Sequence, residues 1–380
     1  DKKNKKGINQ ILCTLLTRGC KNYDNFSFSE YLDSFGAELN FEALEDGISI
    51  CLKTINQYFD KLYPLIKIIL EEPNLYEKEF IFCKKYALEN LKKEKENPFN
   101  ISFDNWKKIA YNKHPYAFNC NGYEDTINFI NYEDVLNEFE SFKKREKFLL
   151  TNIKKDNLIN INNIKQKNLQ IENNSSKKSL LKNFQSTCIE HHSNSKQIIM
   201  ILGSQTCPHS SKDNLSLKIL ESYLSYGMSS LLFKMFREKN GLTYDSGVYY
   251  PTRKFNSPFI IYLSVSEINA PIAFKLLLSI WEGLINNLIS NHEVSLAKLK
   301  LKSSLLHNYQ TIEEITFRKV MLISFGMDPF YDQTSLNLID NINAEELLKV
   351  TRKYLSNPLL SISGGKDMCG KLRAIWQKKF

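Results

Sequence analysis

Three polar side chains stand at i, i+3 and i+4 in the segment GINQILCTLLTRGCKN: Gln10, Cys13 and Thr14. Around them Ile8, Ile11, Leu12, Leu15 and Leu16 follow a helical period, and Gly19 closes the run. On a helix this spacing gathers the three on adjacent turns, where metal ligands are often carried. The residue types argue otherwise. A thiolate can bind zinc, but one thiol flanked by an amide and a hydroxyl gives no set of three strong ligands.

The stretch FREKNGLTYDSG, residues 236 to 247, offers a different chemistry. Arg237 falls near a helix end, Gly241 permits a turn, and Tyr244 falls early in a strand. A guanidinium fork and a phenol brought together in this way grip a peptide carbonyl and donate to a developing oxyanion. From spacing alone, an arginine paired with a carboxylate and a tyrosine capping a sheet is the plainer reading.

Other constellations are weaker. Cys188, Glu190, His191 and His192 lie in a polar stretch where neighbouring side chains point in opposite directions, so a surface cluster is expected. Cys207-Pro208-His209 has no recognisable third residue to orient a nucleophile pair. His292 and His307 lack ligand spacing, and His114 in HPY reads as structural. No glycine-rich phosphate loop or G-x-S-x-G elbow occurs.

The elements that must hold these residues alternate along a globular chain of 380 residues, 42% hydrophobic and 24% charged. The helix SFSEYLDSFG reads as beginning at Ser27 with a capping box to Glu30. GAELNFEALEDGISICLKTI reads as two strands about a turn at Glu45-Asp46-Gly47. Helical periods follow in NQYFDKLYPLIKIIL, in LYEKEFIFCKKYALENLKKEK and in the stretch ahead of HPYAFNCNG. A lysine- and asparagine-rich link is expected over 154–196. Beyond it come a strand at KQIIMILG, a helix from Asp213, another from about Ser229, and strands at LTYDSGVYYP and PFIIYLSVS. Three long helices between Ala270 and about Phe325, one at AEELLKVTRKYL and a last strand LLSISGG complete the pattern. An α+β fold follows: two tandem homologous domains, 1–153 and 197–380, each an antiparallel-rich sheet covered by helices.

The net charge of +9 comes from lysines scattered in short pairs, a solvated surface and no nucleic-acid site. No run of about 18 uncharged apolar residues is visible, so no membrane partner is expected. KLYPLIKIILEEP comes nearest, and reads as a core helix. No secretory signal is seen, and eight cysteines without a C-x-x-C pair suit reduced thiols in a cytoplasmic setting.

FREKNGLTYDSG resembles the Arg–Tyr signature of the insulinase/pitrilysin-type zinc metallopeptidases, the family that includes mitochondrial processing peptidase and bacterial two-chain relatives. GCKNYDNFSFSEYLDSFGAELNFEALEDGISI and HPYAFNCNGYEDTINFINYEDVLNEF resemble other segments of that family in the right order. The resemblance implies a clamshell half, with a strand pair before Gly7. Hydrolytic members carry H-x-x-E-H, in which two histidines hold zinc and the glutamate activates water, with a later glutamate as third ligand. Laid on that pattern, Gln10 and Thr14 replace the histidines and Cys13 the glutamate. Asn90 falls at the later glutamate, with Glu89 one residue away.

The resemblance therefore implies a non-catalytic, substrate-binding subunit that holds no cofactor and is active only beside a homologous H-x-x-E-H subunit carrying zinc. Arg237 and Tyr244 are expected to orient the scissile carbonyl of a peptide or unfolded polypeptide at the partner's zinc. The alternatives are an inactive scaffold subunit of a larger complex, or the recognition subunit of mitochondrial processing peptidase in the matrix. The last is disfavoured because SQTCPHSSKDNLSLKILESYLSYGMSS lacks that subunit's glycine-rich loop.

Overall fold

The computed structural model describes residues 4–150, 185–243, 245–307 and 310–380, which form two compact units. The first unit contains α1 (Ile8–Leu16), α2 (Asn25–Ser34), β1 (Glu38–Ala43), β2 (Ile48–Lys53), α3 (Phe59–Glu71) and α4 (Glu77–Glu96). The next helix, α5 (Pro98–Tyr111), belongs to the second unit, and the chain then returns to the first for α6 (Glu124–Phe129) and α7 (Tyr132–Lys144). The second unit continues with β3 (Thr187–His192), β4 (Gln197–Gln205), α8 (Asn214–Ser225), a π-helical turn Phe233–Glu238, β5 (Asp245–Tyr249) and β6 (Pro258–Ser266). It closes with α9 (Ala270–Asn286), α10 (Asn291–His307), α11 (Ile312–Ser324), α12 (Tyr331–Asn341), α13 (Ala344–Leu355), β7 (Leu359–Gly364) and α14 (Lys366–Gln377).

In the first unit the apolar period of α1 becomes its packing. Ile8, Ile11, Leu12, Leu15 and Leu16 are buried with Leu62 and Leu65 of α3, Phe80 and Leu91 of α4, and Val135 and Phe139 of α7. β1 and β2 pair antiparallel from Glu38↔Lys53 to Ala43↔Ile48, and the turn closes with Leu44 N–H donating to Gly47 O at 2.8 Å. Asp24, rather than Ser27, caps α2, its carboxylate accepting from Ser27 N–H at 2.8 Å. The start of α1 is fixed by close backbone approach. Gly7 sits at φ +91°, and a Cβ there would lie 2.6 Å from Asn121 O. Gly122, also at positive φ, would carry its Cβ into Lys6 O, so the 121–122 turn lies tight against the helix start.

The second unit is built on a five-stranded sheet in the order β3-β7-β4-β6-β5, antiparallel except for the parallel pair β3–β7. Central β4 is buried at every position after Gln197, as a strand covered on both faces must be. Part of that cover is α5. Trp106 Nε1 donates to Leu359 O at 3.1 Å, and Ser102 and Ser363 share a hydroxyl hydrogen bond of 2.7 Å.

Two boundaries thus differ from the sequence expectation. Residues 98–117 leave the expected 1–153 domain for the second unit, because Trp106, Ala110, Tyr111, Tyr116 and Ala117 bury their apolar surface there. Residues 187–192, expected within the 154–196 link, form edge strand β3; 154–184 lie outside the described residues. The segment Glu267–Asn286, not the α3 stretch, has the length and apolarity to cross a membrane. In this unit its Phe274, Leu277, Leu278 and Trp281 are core residues.

Candidate functional site

Gln10 and Thr14 lie one turn apart on α1, and opposite them α4 presents Tyr86, Asn90, Lys93 and Glu94 at helical spacing. Together with Asn121 these side chains line a cavity of about 260 Å³ within the first unit. Asn90 faces it, whereas the adjacent Glu89 is exposed and does not line it. A helical step of 100° separates the two, which settles which residue the cavity sees.

Cys13 is elsewhere. It is wholly buried in the first unit and does not line the cavity. Burial pushes its thiol up to about 12; Arg145 opposes that shift and Glu42 adds to it. A thiol so protonated is a packing group rather than a ligand or base.

The polar partners are unevenly committed. Glu94 accepts from Asn119 Nδ2 at 3.2 Å and from Asn121 Nδ2. Thr14 Oγ1 donates back to Gln10 O at 3.1 Å. The side-chain amides of Gln10 and Asn90 make no hydrogen bond among the described residues. Two neutral carboxamides and a hydroxyl are weak zinc donors, and zinc does not fit this set. Among the described residues, no group of three or more His, Cys, Asp or Glu side chains is placed to hold a metal ion.

Arg237 lies in the second unit, on the π-helical turn. Lys239 N–H reaches Lys234 O at 2.9 Å, the i−5 bond of that geometry, and Asn240 Nδ2 donates to Met235 O at 2.7 Å. Gly241, at φ +57°, ends the turn with its N–H on Arg237 O at 3.1 Å. The guanidinium stands 5.1 Å from the Phe233 ring centre. It lines a cavity of about 270 Å³ with the hydroxyl residues Ser225, Ser230, Thr243 and Ser246 and the apolar Met228, Leu232 and Phe233. Thr243 ties the approach to β5 onto β6 by donating to Ser264 O. Tyr244 lies outside the described residues.

The remaining sequence candidates fall into structural roles. His209 is buried and accepts from Arg318 Nη2 at 2.9 Å, and Arg318 is held in turn by Asp332 at 2.7 Å. Burial, then the nearby Arg318 and Lys218 charges, lowers the imidazole to about 3. Cys207 has its thiol pushed up by burial and lies 3.8 Å from Tyr250 Oη, so no Cys–His nucleophile pair forms. On β3, His192 Nε2 meets Glu190 at 3.1 Å on the strand face that also carries Cys188. His114 Nδ1 accepts from Tyr116 N–H at 3.2 Å. Sequence reasoning missed Glu94, Asn121 and the four cavity hydroxyls. Only the helical spacing of Tyr86, Asn90 and Glu94 signals any of them locally.

The chain is similar in sequence and in fold to proteins of the zinc metallopeptidase kind. Residues 138–301 match the family model described as the peptidase M16 inactive domain. An uncharacterized zinc protease of Rickettsia felis is 20% identical over 385 residues, 96% of this chain and 89% of the relative. The crystal structure of a peptidase M16 inactive domain from Pseudomonas fluorescens superposes with a TM-score of 0.78 at 16% identity, covering 96% of this chain and 90% of that one. A protease from Helicobacter pylori gives 0.75 at 17%, covering 95% and 90%. The α+β fold is that of these structures, and the resemblance to the zinc metallopeptidases stands on sequence and fold alike.

Proposed function

We propose that this chain is the non-catalytic, substrate-binding subunit of a two-chain zinc-dependent peptidase. One observation carries the reading: Arg237 is presented to a hydroxyl-lined cavity, while the positions that align with zinc ligands are neutral amides and a hydroxyl. The substrate is a peptide or unfolded polypeptide, its carbonyl gripped by the guanidinium and its oxyanion by the Tyr244 hydroxyl. Zinc and the general base belong to a homologous H-x-x-E-H subunit. The compartment proposed is the cytoplasm, on the strength of eight cysteines without a C-x-x-C pair.

The experiment mixes this chain with its H-x-x-E-H homologue and follows a quenched fluorescent peptide. Arg237→Ala and Tyr244→Phe are each expected to lower kcat about a hundredfold, as removal of an oxyanion donor does. Turnover unchanged in both variants would overturn the assignment and leave a scaffold.

A further inference from the structure

The cavity between α1 and α4 has chemistry of its own. Two carboxamides, Gln10 and Asn90, face it from different helices, and among the described residues neither is hydrogen-bonded to the protein. Each offers an N–H donor pair and a carbonyl acceptor. The adjoining Asn121 amide is held by Glu94, so it forms a fixed wall.

The charge around them cancels. Lys93 and Glu94 line the same cavity, one of each sign, and Glu94 already accepts from two amides. A free anion would meet Glu94 and a free cation would meet Lys93, so neither is favoured. A neutral group with one donor and one acceptor side by side satisfies both carboxamides. The volume of about 260 Å³ lies below the usual range for a small-molecule pocket and suits a short stretch of chain. The stacked, exposed aromatic pair Phe82 and Tyr86 runs along α4 to the rim, where Tyr86 lines the cavity.

We propose that this cavity is a peptide-amide subsite in which Gln10 and Asn90 bind an uncharged amide of an extended peptide without hydrolysing it. The inference rests on the peptide-binding reading above and adds a second point of contact on the same chain. The amide comes either from the peptide backbone or from an Asn or Gln side chain, and the chemistry is shared.

The test measures fluorescence anisotropy of the full chain with a fluorescein-labelled, unfolded peptide of Ala, Ser and Gln. Gln10→Leu and Asn90→Leu are each expected to raise Kd about five- to tenfold, the loss of one or two hydrogen bonds. Both variants should melt with the wild type, since neither amide has a hydrogen bond to lose among the described residues. N-methylating the central backbone amides of the probe weakens binding if the backbone supplies the group. Replacing its Gln residues by Ser weakens binding if side chains do. Wild-type affinity in both leucine variants overturns the inference, as does equal binding of all three probes. Arg237→Ala separates the two proposals. Weakening by Arg237→Ala alone leaves the subunit assignment and removes this subsite, and weakening by the leucine variants alone does the reverse.

Discussion

Gln10 on α1 and Asn90 on α4 face the same cavity, their side-chain amides without a hydrogen bond among the described residues, although α2, β1, β2 and α3 lie between them in sequence. Their backbones are placed by apolar packing. Ile11, Leu12 and Leu15 on one helix and Ala87 and Leu91 on the other are buried in a single core. The geometry is thus held independently of what the two polar residues are. That independence is what allows a helix pair to keep its spacing while the donor chemistry changes.

Chemistry can be restored to that placement. A Gln10→His, Thr14→His, Asn90→Glu variant is expected to bind zinc one to one, because two histidines and a carboxylate form a known three-ligand set. The wild type, measured alongside by metal analysis after dialysis, should retain none. Zinc retained by the wild type would contradict the donor argument. Adding Cys13→Glu should destabilise the fold, since position 13 is fully buried and a carboxylate there loses its hydration.

Thiol reactivity provides a second check. Cys13 and Cys188 are pushed up to about 12, and Cys83 and Cys369 to about 11, all by burial first. At about pH 8 these four should alkylate far more slowly than the half-buried Cys51 and Cys120, read by peptide mapping. Fast native labelling of Cys13 would show it open to the cavity.

The assignment of α5 to the second unit has an energetic consequence. Trp106 is fully buried and hydrogen-bonded to Leu359 O. Trp106→Ala is expected to destabilise that unit by about 3–5 kcal/mol, and Trp106→Phe by about 1 kcal/mol for the lost hydrogen bond. Denaturant unfolding followed through a probe on β4 measures both. No change in either would mean α5 is not part of that core.

Sequence carried the local features well and the long-range ones poorly. The hairpin 38–53 was legible because its turn and its alternation are contiguous, and β4 because residues 198–202 form an unbroken apolar run. The membership of α5 was not, since Trp106 finds its partner 253 residues downstream. Strand β3 was missed because TCIEHH is short and polar, and among the described residues its one strand partner is the distant β7. At the site, Gln10 and Thr14 could be read from helical spacing and Asn90 only from family resemblance. Asn121 enters through a turn fixed by Gly7 and Gly122, a contact no periodicity reports.

Acid should find the His209 network first. The folded imidazole titrates at about 3 and an unfolded one near 6.5, so between those values the unfolded chain binds one more proton. The stabilisation is complete above pH 6.5 and is lost as pH falls towards 3, at up to about 1.4 kcal/mol per pH unit. Between about pH 5 and 6.5, above the ordinary carboxylate range, this group should dominate the slope. His209→Gln keeps an acceptor for Arg318 and removes the titration, so its unfolding free energy should be flatter over that window. Parallel slopes for the two proteins would mean that His209 is protonated in the folded state, and that Arg318 cannot be donating to its Nε2.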